Sequence, residues 1–284
     1  MSALGDLVAL LDLEPIEVNV FRGRSPDDQR QRVFGGQVAG QALVAAGRTV
    51  ERERSVHSLH AYFLRPGDPS VPILYDVDRI RDGRSFTTRR VVGIQHGRAI
   101  FNLAASFHRA EDGFDHQLPM PPAPPPEGLP TFAERLAPYR EQVGEWYSRP
   151  QPIDLRHVDD PPHAGGAGRR RPPCQQVWFR ADGALPDDPL LHACVATYAS
   201  DLTLLDSILL AHGTSWLDPG LMGASLDHAM WFHRPFRADE WLLYDQQSAS
   251  AFGARGLGEG RIYRRDGAHA VSVVQEGLFR RRSP

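Results

Sequence analysis

Residues 189–213 read PLLHACVATYASDLTLLDSILLAHG. The stretch carries helix signals at both ends. Asp188 can accept from the first free backbone N–H groups, Pro189 suits the first helical position, and Gly213 is a natural stop. The spacing predicts one helix of roughly 24 residues, or about 36 Å. Its apolar residues (among them Leu190, Leu191, Val195, Tyr198, Leu204 and Ile208) lie nearly all round, which marks a helix enclosed by other structure. Two carboxylates interrupt that surface. Asp201 and Asp206 are five residues apart, about 140° of helical turn, so at least one is expected to be deep. A buried carboxylate without a partner is costly and needs a reason.

The reason is sought in an internal repeat. LHAYFLRPGDPSVPILYD (59–76) matches DHAMWFHRPFRADEWLLYD (227–245). Arg65-Pro66 and Arg234-Pro235 are 169 positions apart, as are Tyr75-Asp76 and Tyr244-Asp245. Upstream, NVFRG (19–23) echoes VWFRA (177–181), and each copy closes on an apolar strand, 99–108 and 270–279, after a turn at His96-Gly97 or Asp266-Gly267. Each copy thus reads as a short strand, a central helix and several long antiparallel strands. The first helix is expected over Gly36–Val50. That order implies an α+β unit whose sheet wraps round its helix. We divide the chain into a first copy (1–109), a Pro-rich crossover (110–173) and a second copy (174–284). Within the crossover, PMPPAPPPEGLP (119–130) can only be extended, a helix is expected over Thr131–Tyr147 and an extended segment over 152–158.

The copies differ in their polar residues. The second helix carries Asp201 where the first offers Gly, Gln and Ala. Gln275 stands opposite Ala105 in a 170-residue register, and Ser225 opposite Val56 in the 169-residue register. A carboxylate, a hydroxyl and an amide have complementary donors and acceptors, and together could polarise a water. A satisfied structural network is the competing account.

Composition narrows the function. Net charge is −3 and all 32 basic residues are arginines, with runs only at Arg169–Arg171 and Arg280–Arg282, so nucleic-acid binding is unsupported. Two cysteines make no disulfide framework. The N-terminus reads as a short amphipathic helix without a basic leader, no apolar run reaches about 18 residues, and a cytoplasmic location is expected with no membrane partner. No Gly-x-Ser-x-Gly elbow occurs. Gly256, Gly258 and Gly260 lack the dinucleotide fingerprint's spacing and read as strand glycines with a close neighbour. His57 and His60, three apart in a strand, are expected on opposite faces, which argues against a shared metal.

GGQVAGQAL (35–43), VHSLHAYFLRPGD (56–68), YDVDRIRDGRSFTTRRV (75–91), YASDLTLLD (198–206), SLDHAMWFHRPFRADEWLLYD (225–245) and VVQEGLFR (273–280) resemble the acyl-CoA thioesterase II, or TesB-type, family across nearly the whole chain. The resemblance implies a double hotdog fold and hydrolysis of fatty acyl-CoA without metal or organic cofactor. It also implies a catalytic trio, carried here by Asp201, Ser225 and Gln275, with serine where the family commonly has threonine. Gly35 and Gly36, opening the first helix, are candidate backbone donors to a developing oxyanion. His60 and His228 are candidate pocket-lining residues, and Arg255 could meet a CoA phosphate. Pairing of copies through exposed sheet edges, giving a homo-oligomer, is also expected. Two alternatives stand beside this reading. One is a non-catalytic acyl-CoA-binding protein. The other is a 2-enoyl-CoA hydratase, which needs an Asp and a His five apart; Asp159 and His163 come nearest, at four.

Overall fold

The computed structural model describes residues 2–26, 31–144, 148–163 and 168–281. Both repeats fold alike. After α1 (Ala3–Leu11) and the hairpin β1 (Glu14–Glu17) and β2 (Val20–Gly23), the first copy runs α2 (Gly35–Gly47), β3 (Arg54–Phe63), β4 (Ile73–Asp82), β5 (Phe86–Gln95) and β6 (Arg98–Arg109). The crossover holds α3 (Phe132–Leu136), α4 (Arg140–Val143) and β7 (Ile153–His157). The second copy runs β8 (Cys174–Ala181), α5 (Pro189–Ser200), α6 (Asp206–His212), β9 (Leu221–Ser225), β10 (Asp227–Phe232), β11 (Leu242–Phe252), β12 (Arg255–Arg264) and β13 (His269–Arg281).

The strands form one antiparallel sheet in the order β1-β2-β4-β5-β6-β3-β10-β13-β12-β11-β8-β7, with β9 paired to β13 off that path. The order is a palindrome of the repeat: each copy places its strands identically, and the copies meet where β3 pairs with β10. The sheet wraps α2 and α5, which pack on each other, and a single hydrophobic core runs through both copies, including Leu43, Leu59 and Leu103 of the first and Val195, Leu204 and Val273 of the second. Together these give an α+β double hotdog. A helix enclosed by a sheet and by its twin explains the all-round apolar pattern of 189–213.

The β5–β6 turn is as read: His96 and Gly97 have φ of 49° and 69°, the left-handed pair that a two-residue hairpin requires. The crossover helix is shorter than expected. A 3-10 turn at Ala137–Tyr139 separates α3 from α4, and residues 145–147 of the expected helix lie outside the described ones. β7, a crossover residue run by sequence, extends the second copy's sheet by pairing with β8. The two ends of the sheet are short. β1 is exposed and carries Glu14, Pro15 and Glu17, a composition that discourages strand addition, and β7 has α3 packed beside it.

The opening stretch is not one helix. Asp188 caps α5 as expected, accepting from Leu190 N at 2.9 Å, and Gly213 closes α6 in the left-handed conformation. Between them, residues 201–205 form a turn. Leu202 N donates to Ala199 O and Asp206 N to Thr203 O, i→i+3 bonds that tighten the chain. Thr203 in that turn is held from outside, by its carbonyl and by its hydroxyl. Gln175 Nε2 donates to Thr203 O at 2.8 Å, and Gln246 Nε2 donates to Thr203 Oγ1 at 2.6 Å. The 140° separation expected of Asp201 and Asp206 therefore does not apply.

Candidate active site

Asp201 is the residue that ends α5, in αR conformation at its C-cap. Its carboxylate leaves the second copy and meets the first: Gly36 N donates to Oδ2 at 2.7 Å. This contact has a local cause. The N-cap of α2 is Phe34, whose side chain offers no acceptor, so the helix start lacks the partner a Ser or Asp would supply. Asp201 provides it from the other copy, where the positive end of the α2 dipole also favours the charge. The approach requires glycine. A Cβ on Gly35 would sit 2.6 Å from Asp201 Oδ2, and one on Gly36 would sit 2.5 Å from Tyr198 O.

The other carboxylate oxygen faces the trio. Gln275 Nε2 donates to Asp201 Oδ1 at 2.5 Å and to Ser225 Oγ at 2.8 Å, and Ser225 Oγ donates to Asp201 Oδ1 at 3.3 Å. Sheet pairing sets the arrangement, because β9 lies beside β13 with Ser225 opposite Gly277. Gln275 is fully buried on the inner face of β13. Three residues selected from sequence, 24 to 74 positions apart, thus close a triangle. Burial pushes the Asp201 carboxyl up to about 6, opposed by its hydrogen bonds from Gln275, Gly36 and Ser225. Among the described residues the groups that hold its charge are neutral donors. A partly buried carboxylate titrating near neutrality, with a hydroxyl and an amide beside it, can accept a proton from a water in the same place.

The remaining candidates separate. His228 is buried at the site, its Nε2 2.9 Å from Ser200 Oγ. His60 is corrected: it pairs with Ala229 on the outer face of the sheet, is exposed, and meets Trp231 edge-on, so it lines no pocket with the trio. His57 is corrected too. A bulge between Val56 and Ser58 turns it to that same outer face, against Phe86 and Ser106. Gly36 is revised in role, since the N–H expected to meet an oxyanion is engaged by Asp201. Arg255 is exposed and paired with Glu276 at 2.9 Å, on the rim of a groove of about 200 Å³. Apolar side chains wall that groove, Ile208 and Leu209 from α6 and Leu221 and Phe279 from β9 and β13. The β12 glycines behave as read from sequence: a Cβ on Gly256 would meet Ile208 at 2.9 Å, so their absent side chains let α6 lie against the sheet. Asp206, the second acid of the opening stretch, is buried and accepts from Trp216 Nε1 at 2.6 Å. Asp159 and His163 stay in the crossover, where His163 lies edge-on to Phe132. Among the described residues no group of three or more His, Cys, Asp or Glu could hold a metal, and no helix is long and apolar enough to cross a membrane.

What sequence reading missed is the capping of α2 by Asp201 and the place of Ser200 and His228 behind the trio. The capping had a visible signal: a helix opening on Phe-Gly-Gly, with no acceptor of its own.

The chain is similar to known proteins along nearly its whole length. Residues 24–108 match the family model described as the N-terminal domain of acyl-CoA thioesterase, and residues 151–278 match that of acyl-CoA thioesterase. The chain is 43% identical to acyl-coenzyme A thioesterase 8 of Rattus norvegicus, over 96% of this chain and 88% of that one. It is 39% identical to acyl-CoA thioesterase 2 of Haemophilus influenzae, over 98% of each. Among solved structures, an acyl-CoA thioesterase II (TesB2) from Mycobacterium marinum superposes with a TM-score of 0.81 at 48% identity, covering 98% of this chain and 99% of that one.

Proposed function

This chain belongs to the acyl-CoA thioesterase II (TesB-type) family and is a thioester hydrolase, and from that premise we propose that Asp201, Ser225 and Gln275 carry the reaction. Asp201 is the general base. Gln275 and Ser225 orient its carboxylate, and a water bound beside the trio loses its proton to Asp201 as it attacks the thioester carbonyl. The tetrahedral intermediate collapses with cleavage of the C–S bond. The leaving thiolate of CoA takes the proton from Asp201, which returns to its ionised form, and the acid is released. Gly35, the first residue of α2, is the backbone donor proposed for the oxyanion. The observation that carries this reading is the closed triangle of hydrogen bonds on a carboxylate whose pKa burial raises to about 6. A base of that strength is mostly ionised at neutral pH yet still basic enough to take a proton in the transition state.

We also propose a fatty acyl chain as the acid portion. The apolar groove beside α6 suits an alkyl chain, and its wall residue Phe279 is two residues along β13 from Gly277, which is paired with Ser225. The test is release of CoA from a panel of acyl-CoAs, comparing wild type with Asp201→Asn. Turnover should fall by about 10²–10⁴-fold in the variant. In the wild type, kcat/KM should rise with pH through an acid limb near 6, because only the ionised carboxylate accepts the proton. Unchanged turnover in Asp201→Asn removes it from the mechanism. A folded wild type without turnover on any acyl-CoA would leave acyl-CoA binding as its activity.

A further inference from the structure

The register between the repeats extends beyond the trio. In the first copy, Leu59 of β3 lies directly opposite Ala105 of β6. Position 228 is 169 residues after Leu59, and position 275 is 170 after Ala105. The pairing Ala229↔Val274 of β10 with β13, continued by one residue, sets His228 opposite Gln275. The second copy has therefore replaced both members of one apolar cross-strand pair by polar residues. Side chains so placed share a face, with Cβ atoms about 5 Å apart. Both are inside: His228 is 1% exposed and Gln275 0%.

The polar atoms of the pair are only partly committed. Gln275 Nε2 is committed to Asp201 and Ser225. An amide turned round would set its oxygen against an acceptor-only carboxylate, so this orientation is required. The oxygen, Oε1, is left buried without a hydrogen-bond partner among the described residues, and so is His228 Nδ1. The two residues nevertheless interact. Gln275 faces the ring as an acceptor, which favours the imidazole's proton, although burial wins and pushes the group down to about 4. The ring is thus neutral at pH 7 and has one hydrogen to place. Ser200 also has one, with His228 Nε2 at 2.9 Å and Thr197 O at 3.0 Å as acceptors. Giving the Ser200 hydrogen to Nε2 puts the ring hydrogen on Nδ1, the assignment that provides for both orphan atoms.

We propose that His228, as its neutral Nδ1–H tautomer, is a positioning residue that donates to Gln275 Oε1 and keeps the amide aimed at Asp201 and Ser225. Ser200 at the end of α5 fixes the ring from behind. The inference rests on the catalytic reading of Gln275 and deepens it.

The test uses His228→Leu, which restores the first copy's residue, and His228→Asn, whose amide nitrogen takes the place of Nδ1. In His228→Leu, kcat should fall by about 10²-fold with KM little changed, the scale of a misoriented catalytic group. His228→Asn should recover most of that loss. In a Gln275→Ala background, His228→Leu should add nothing further, since the histidine acts only through the amide. Nitrogen NMR of the wild type should show the neutral Nδ1–H tautomer at pH 7, a readout independent of how any variant folds. An Nε2–H tautomer, a kcat in His228→Leu within twofold of wild type, or multiplying effects of the two substitutions would each overturn the proposal. If Asp201→Asn and Gln275→Ala also turn over normally, it is the catalytic reading that fails; if they are dead while His228→Leu is active, only the role of His228 falls.

Discussion

The two repeats share a strand order, a helix and a core, yet contribute to the site in different ways. The first copy offers backbone: the start of α2, whose Gly36 N–H meets Asp201. The second offers side chains, Asp201, Ser225 and Gln275. At equivalent sheet positions the first copy keeps Leu59 and Ala105 and buries them completely or nearly so. At this pair of positions one half keeps apolar packing while the other places polar groups that need buried partners. The hydrogen-bonded cluster draws on both halves of one sheet, backbone from the first and side chains from the second.

The strongest way to break this comparison is to make the second copy resemble the first. Gln275→Ala installs the Ala105 residue and removes the donor that joins Asp201 to Ser225. We expect kcat to fall by about 10²–10³-fold, measured by CoA release, and the unfolding midpoint to drop modestly, because Asp201 loses a buried donor. A loss of less than tenfold would mean that the difference between the copies is architectural. The converse test acts on the first copy. Gly36→Ala puts a methyl 2.5 Å from Tyr198 O and 2.6 Å from the Phe34 ring. Backbone cannot yield as a flexible side chain does, so the helices must separate, at about 3 kcal/mol of stability. Both denaturant midpoint and turnover should drop, although no side chain of the trio has changed.

Much of this was legible in the sequence because it lies in repeats and blocks. The 169-residue register located the strands, and the acid, hydroxyl and amide stood out against apolar counterparts. The break in the helix was not legible. Residues 201–205 contain no Gly or Pro, and the turn keeps Leu204 and Leu205 buried, so the apolar pattern runs on unbroken. What breaks it are Gln175 and Gln246 reaching from β8 and β11 to Thr203, a tertiary effect that overrides local preference. His60 was misplaced for a related reason. A strand's alternation shows which residues share a face but not which face is inward, and the bulge in β3 shifts the count for His57.

Asp206 sharpens the contrast between an acid held by the first copy and one held only by its own. Burial pushes its carboxyl up to about 7, against hydrogen bonds from Trp216 and Gln175. The strands packed on α6 turn Gln175, Gln246 and the β12 glycines inward, with Tyr244 the titratable group among them, its hydroxyl on Ser200 O. A folded pKa above the unfolded one means the native state binds more protons. The contribution is present below about pH 4 and is lost as pH rises toward 7. Asp206→Asn keeps an acceptor for Trp216 and has no proton to lose. Between pH 4 and pH 5.5 its stability should therefore gain on that of the wild type by about 2 kcal/mol, read from paired urea titrations. Parallel curves would show that Asp206 titrates normally.

The smallest expected effect concerns position 225, where the resemblance leads one to expect threonine and serine stands. Ser225 presents the hydroxyl without the methyl that confines threonine to fewer rotamers. Its cross-strand partner Gly277 presents no Cβ, and the side chain of that strand beside it is Gln275, whose amide it accepts from. Ser225→Thr should then be accepted and should hold the oxygen more often toward Gln275 Nε2, raising kcat by about twofold. Ser225→Val, which matches Val56 of the first copy, supplies the same shape without the oxygen and should lower it. The pair isolates the hydroxyl from the volume. If threonine is as damaging as valine, the methyl does not fit, and serine stands at 225 because this site has room for nothing larger.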